Sequence, residues 1–466
     1  MSIGKFTTSI KSALSGGIRD LIRDTTNDDT FYIYVAYSDQ TAYPFADSDL
    51  SEEITDSDLV QVYRNIVTMH RVLPGGVSRV IPRKNWSKNK KYIGWYDTVT
   101  TDSDFYVLST EVVQGVPRQN VYKCLFAPNA VSTVPPTGIS STAFKTVDNH
   151  WWQYMYTITN SESILFLNNT YMPVPEKITT TDAQSTTSGT AKYDQLQAQN
   201  SAVVGGVWNI RINPVANDSD IRNFTNKTSI PLRLRDGTGS SVTQEFLGTA
   251  TRNNDSDLKW QFQVDQPGKG YTAIPVAYDD SDSDQTAYTI FKADIAPSEG
   301  HASNAPDELK AFNVMLTSRA IPESGDFKNI AQNDFSMIGV IKNPVDKNTQ
   351  KIASEEYYTI ANKVTLNSQS LFDDNSIFYK SGDSDFAGKP VASSGNTLYY
   401  LNVGKLEKNF NDSDLLTSTS HDNTISKKFA QEIRFNSGQV LTVDYLENAL
   451  SRDDDQIESL NIILKF

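Results

Sequence analysis

Cysteine is nearly absent: Cys124 stands alone in 466 residues, so no disulfide can close within the chain and a cysteine-built metal cluster is excluded. Histidine is scarce as well, and His70, His150, His301 and His421 lie far apart, with no two at metal-ligand spacing. Nowhere do about 18 apolar residues run together, which argues against a membrane-spanning helix. Near the N-terminus Lys11, Ser12 and Ser15 interrupt what would be the apolar core of an export signal. GxSxG, the P-loop, HExxH and a Gly-rich dinucleotide turn are all missing. Together these absences lower the expectation of an enzyme, and no catalytic residue, metal or cofactor is assigned.

What is present describes a folded protein. Aromatic residues make up 11% of the chain, more than a disordered segment carries, and point to packed cores. Its length exceeds the roughly 250–300 residues over which one core keeps growing, so two or three packed units are expected. The formal charge of -14 repels phosphate backbones, so a nucleic-acid partner is not expected. Acidic triplets Asp-Ser-Asp begin at positions 47, 56, 102, 218, 255, 280, 383 and 412. They are read as solvated turns, because Asp280–Asp284, the one alternating run, has Gln285 and Phe291 where a calcium loop needs Gly and Glu. The hexapeptide SDQTAY recurs at 38–43 and 283–288 in different surroundings, so it does not mark a domain repeat.

Patterning predicts mostly strands. Ile10, Leu14, Ile18, Leu21 and Ile22 share one face of an N-terminal helix, a docking arm or a cap on its own domain. Phe31–Tyr37 reads as a central strand buried on both faces. Leu59, Val62, Tyr63, Ile66, Val67 and His70 recur at helical spacing behind the capping residues Asp56 and Asp58. Val121–Phe126 and Trp151–Ile158 alternate and read as strands with one packed side. The small, polar stretch 179–190 reads as a linker, followed by short β runs at Val207–Ile212 and Trp260–Val264 and by the turn-rich Pro267–Pro275. Ser303, Asn304 and Pro306 signal a helix start before the apolar run Phe312–Leu316, and Leu460, Ile462, Leu464 and Phe466 alternate in a terminal strand.

A set of segments resembles one family when taken in order. Val62–Val67, Arg71-Val-Leu-Pro74 and Val80-Ile-Pro-Arg-Lys-Asn-Trp86 are similar to the N-terminal signature of the baseplate wedge proteins of T4-like contractile-tailed phages. Val121-Tyr-Lys-Cys-Leu125, Pro135-Pro-Thr-Gly138 and Trp152–Tyr156 follow. Next come Glu299-Gly-His301, Glu308-Leu309, Ile338–Pro344, Asp455–Glu458 and Ile462–Phe466. The set leaves out 185–290, and Ala449–Arg452 replaces a Pro-containing stretch usual in that family.

The resemblance implies a mainly β fold, a β-sandwich framework from the N- and C-terminal parts with inserted β-rich and loop-rich domains and a few short helices. Expected segments are a helical arm over 1–30, the first framework part over 31–178, an inserted β-rich domain over 179–294 and a completing domain over 295–466. It also implies a structural virion protein of the tail baseplate, assembled in the host cytoplasm, homodimeric within each wedge and bound to other wedge proteins, without membrane insertion. Arg83, Lys84, Trp86, Lys88, Lys90 and Lys91, basic and aromatic in an acidic chain, are the candidate subunit contacts; an ordinary exposed loop is the alternative. The rival classes are a receptor or glycan-binding adhesin using Trp151 and Trp152, and a polysaccharide depolymerase.

Overall fold

A computed structural model describes residues 8–37, 56–179, 187–223, 227–235, 242–254, 258–272, 275–281, 287–288, 290–320, 335–373, 376–405, 408–450 and 458–466. Strands predominate, and the fold is mainly β. The chain forms two compact units, one of residues 1–17, 78–314 and 465–466, the other of 18–77 and 315–464. The expected segment limits at 178/179 and 294/295 fall inside the first unit.

The second unit is organised on the strand Phe31–Ala36, buried at every position and third of five in its sheet. On one side it pairs antiparallel with Ile66–Arg71 and on the other with Phe335–Lys342. A strand with both faces in the core needs large side chains throughout, and its tyrosines must find acceptors. Tyr32 donates to the Glu355 carbonyl and Tyr34 to the Thr442 carbonyl, each at 2.9 Å. Gly339 lies opposite Tyr34 because a Cβ there would overlap the Tyr34 ring and the Thr442 carbonyl.

The helical reading beyond residue 65 is corrected. The helix Asp56–Asn65 ends there, and Ile66–Arg71 is a strand in which His70 pairs with Ile33 and Tyr357. Continuous apolar runs satisfy both periods, and the β-branched Ile66-Val67-Thr68 lies where a neighbouring strand is waiting. The same unit contains a closed barrel of six strands between Asn362 and Lys428, with Phe372, Phe378, Tyr400 and Phe410 inside. Sequence patterning gives no sign of it.

The first unit carries a four-stranded sheet in the order Tyr106–Val113, Val116–Phe126, Trp151–Ile158, Phe144–Lys145. The expectation of one packed side for the two central strands is also corrected. Gln153 and Met155 are as buried as Trp152, Tyr154 and Tyr156, because further elements cover the second face. Beyond the linker a five-stranded sheet runs Gln261–Gln266, Leu247–Thr251, Ser229–Arg235, Val276–Asp279, Ala287–Tyr288. Its core continues into Phe126 of the first sheet.

In the N-terminal helix, Thr8–Arg23, the part that belongs to the first unit makes its contacts through small and polar groups, and of the expected apolar stripe Ile22 is buried. Ser12 bonds Asp307 and accepts from Arg79, and Gly16 leaves room for the Arg79 guanidinium. Ile10, Leu14 and Leu21 remain exposed. Four of the acidic triplets act as local ties, Asp104 holding Lys90, Asp280 Arg233, Asp385 Lys405 and Asp414 Lys380, while those at 56 and 218 begin the helices Asp56–Asn65 and Asp218–Asn223. Triplets at 47 and 255, residues 282–286 and the first SDQTAY copy lie outside the described residues. Among the described residues no helix is long and apolar enough to cross a membrane.

Gly339→Ala should destabilise the second unit by about 3 kcal/mol, the upper range for overpacking, since backbone as well as ring must move. Its urea midpoint should fall; an unchanged midpoint would sink this account of the Tyr34 contact.

Candidate functional site

Three of the resembling segments meet at one buried point in the first unit. Lys123, from the strand Val116–Phe126, is fully buried, and its ammonium contacts the Glu308 carboxylate. The same nitrogen lies 2.7 Å from His301 Nδ1 and 5.1 Å from the centre of the Trp95 ring. An ammonium has three donors, and the carboxylate, the imidazole and the π-face use them.

The loop before Glu308 is shaped to receive it. Gly300 has φ +92° and lies so close to the Val203 backbone that a side chain would not fit. Ala302 follows at φ +74°, and together they bring the Ala302 and Asn304 N–H groups to 3.0 Å from the two Glu308 oxygens. Asn304 caps the short helix Ala305–Glu308, accepting from the Asp307 N–H. His301 is held edge-on between Trp95 and Trp208, with centroids 5.0 and 5.3 Å away. The motif Glu299-Gly-His301 thus supplies a left-handed turn and an acceptor for Lys123.

Burial drives the His301 pKa well below the ordinary 6.5, and the Lys123 ammonium beside it acts in the same direction. His301 is therefore neutral, accepts at Nδ1 and carries its proton on Nε2. Burial also pulls Lys123 down, while the touching carboxylate opposes that pull. A cleft of about 390 Å³ lies above, edged by Asp97, Lys177, Glu299, Asp307 and Lys310. Lys123 has no surface open to it, so no substrate atom can reach the amine. The cluster ties strand to loop and offers no exposed nucleophile.

The candidate contact residues divide into two kinds. Arg83 donates to the Asn168 carbonyl, Lys84 to the carbonyls of Asp102 and Ser103, and Lys90 pairs with Asp104 at 2.9 Å. Trp86 bonds Ser132 and packs on the aromatic core. Lys88 and Lys91 are exposed, and their side chains have no partner among the described residues. Trp152 is inaccessible, stacked on His150 and edge-on to Tyr92, so it offers no platform for a sugar.

Nothing in the sequence spacing pairs Lys123 with His301; the available signal is a lysine inside an apolar strand. Among the described residues no group of three or more His, Cys, Asp or Glu could hold a metal ion. No family model matches the chain, and no curated protein matches it.

Two measurements probe the cluster. Lys123→Met should cost about 3–5 kcal/mol, because Glu308 is left as an uncompensated buried charge; a loss within the ordinary surface range would exclude the tie. His301 gives a pH test. The unfolded imidazole takes up a proton below about pH 6.5 and the buried one resists, so this contribution to stability is complete above that value and is lost on acidification. Relative to His301→Gln, the native protein should lose up to about 1.4 kcal/mol per pH unit in that range. Parallel stability curves for the two proteins would contradict a neutral His301.

Proposed function

We propose that the chain is a structural subunit of a phage tail baseplate wedge, dimeric and bound to other wedge proteins. One observation carries the reading: the residues of the family likeness coincide with those that determine the framework. Lys123, Gly300, His301 and Glu308 form the buried tie. Gly138, at φ +82°, donates its N–H to Glu111 and accepts from the Tyr122 hydroxyl. Asn343, in a left-handed turn, accepts from the Thr30 N–H and donates to Asp29. Such positions accept few substitutes, because each combines a backbone constraint with a buried or part-buried polar partner. A likeness falling on them supports a shared framework better than one spread over surface loops.

The role needs rigid bodies joined through surfaces that can repack when the tail contracts. The chain's β units suit the first need. For the second, Lys88 and Lys91 on the loop and Val112, Val113 and Val116 on the exposed hairpin tip offer charged and apolar contacts.

Mixed with the other wedge proteins of its phage, the purified chain should co-elute with them in one complex and sediment alone as a dimer. Lys88→Glu with Lys91→Glu should weaken the complex while leaving the melting temperature unchanged. A chain that remains separate from every wedge candidate would overturn the proposal.

A further inference from the structure

Within the first unit a cleft of about 250 Å³ opens between the first sheet and the five-stranded one, distinct from the Lys123 cluster. On one wall, Leu247–Thr251 and Gln261–Gln266 pair so that Thr249 faces Gln263 and Thr251 faces Gln261. The side chain alternates along each strand. Ala250 and Val264 are buried, and Phe262 packs on the core at 5.3 Å from Phe291, while the threonines and glutamines line the cleft. The opposite wall holds Asn129, Lys145 and Asn149.

That second wall is rigid. Asp148 accepts from the Thr133 and Val134 N–H groups and from Ser132, which fixes one loop against the turn 146–150. Asn149 sits in this turn at φ +66°, its N–H bonded to the Thr146 carbonyl. Yet the side chains of Asn129, Lys145, Asn149, Thr249, Thr251 and Gln261 make no hydrogen bond to any described residue. Amides and hydroxyls that each donate and accept thus converge on a preformed hollow beside the apolar Pro128 and Ala130, with one cation and no carboxylate in the lining.

We infer that this cleft binds a short oligosaccharide bearing an acidic substituent. Sugar hydroxyls need partners that both donate and accept, which Thr, Asn and Gln supply. Pro128 and Ala130 give the cleft an apolar patch for the less polar face of a pyranose, and Lys145 meets a uronate carboxylate. The volume lies just below the roughly 300–1,000 Å³ typical of small-molecule clefts, which suits one or two sugar units. The inserted sheet, which lies outside the family likeness, thereby gains a purpose as one wall of the site.

The full-length protein should be tested on an array of neutral and uronate-containing oligosaccharides, with thermal melting confirming that each variant is folded. The expected result is selective binding of uronate-containing members, reduced about tenfold or more by Gln261→Ala and by Asn149→Gly, which keeps the turn. Lys145→Gln should abolish the preference for acidic members. Absence of binding across the array would overturn the inference, and so would binding that the cleft variants leave unchanged.

Discussion

The Lys123–Glu308 pair is the constraint on which the first unit depends. Removing two ions from water costs several kcal/mol each, so a buried pair is tolerable only when every remaining lone pair and proton is satisfied. Here that requirement propagates outward. Glu308 needs the N–H groups of Ala302 and Asn304, those groups need a left-handed loop, and the loop needs Gly300 against Val203. Lys123 needs His301 neutral, and His301 is kept so by the aromatic walls of Trp95 and Trp208. Asn209 extends the chain of dependence, donating to the Trp95 carbonyl and to Asp294. One charge in a strand therefore fixes a loop, a helix cap and the approach of a second strand pair.

The second unit is specified differently. Its central strand places tyrosine hydroxyls on backbone carbonyls and has a glycine where one ring must pass, while its barrel fills with phenylalanine and tyrosine. Neutral hydrogen bonds and packing impose less desolvation than a buried ion pair, yet they still select one register, because a one-residue slip would turn every strand over. Each unit is stiff for its own reason, and stiffness within units is what the proposed baseplate role would require.

How far these features could be read in advance follows from their range. Phe31–Ala36 was legible because an unbroken aromatic and β-branched run has one comfortable conformation. The short helix at Ala305 was legible from its cap and proline. The switch from helix to strand at Ile66 was not, since the deciding partner, Phe31–Ala36, is remote in sequence. Nor was the barrel, two of whose strands are three residues long and carry almost no periodic signal. Among the candidate contacts, composition identified a basic stretch but could not tell that Lys84 and Lys90 were held by Asp104.

Burial separates what a sequence likeness can report from what it cannot. A lysine in an apolar strand, a glycine at positive φ and a carboxylate between backbone N–H groups each have few physical substitutes, so they stand out in a short motif. Exposed side chains such as Lys88, Lys91, Gln261 and Asn149 satisfy their valences with water in the free protein, and many residue types would fold equally well there. A motif built from the first kind identifies a framework, whereas partner and ligand choice are written in the second. Two chains with the same buried ties can therefore display different surfaces, and in this one the polar cleft is formed partly by a sheet to which the likeness does not extend.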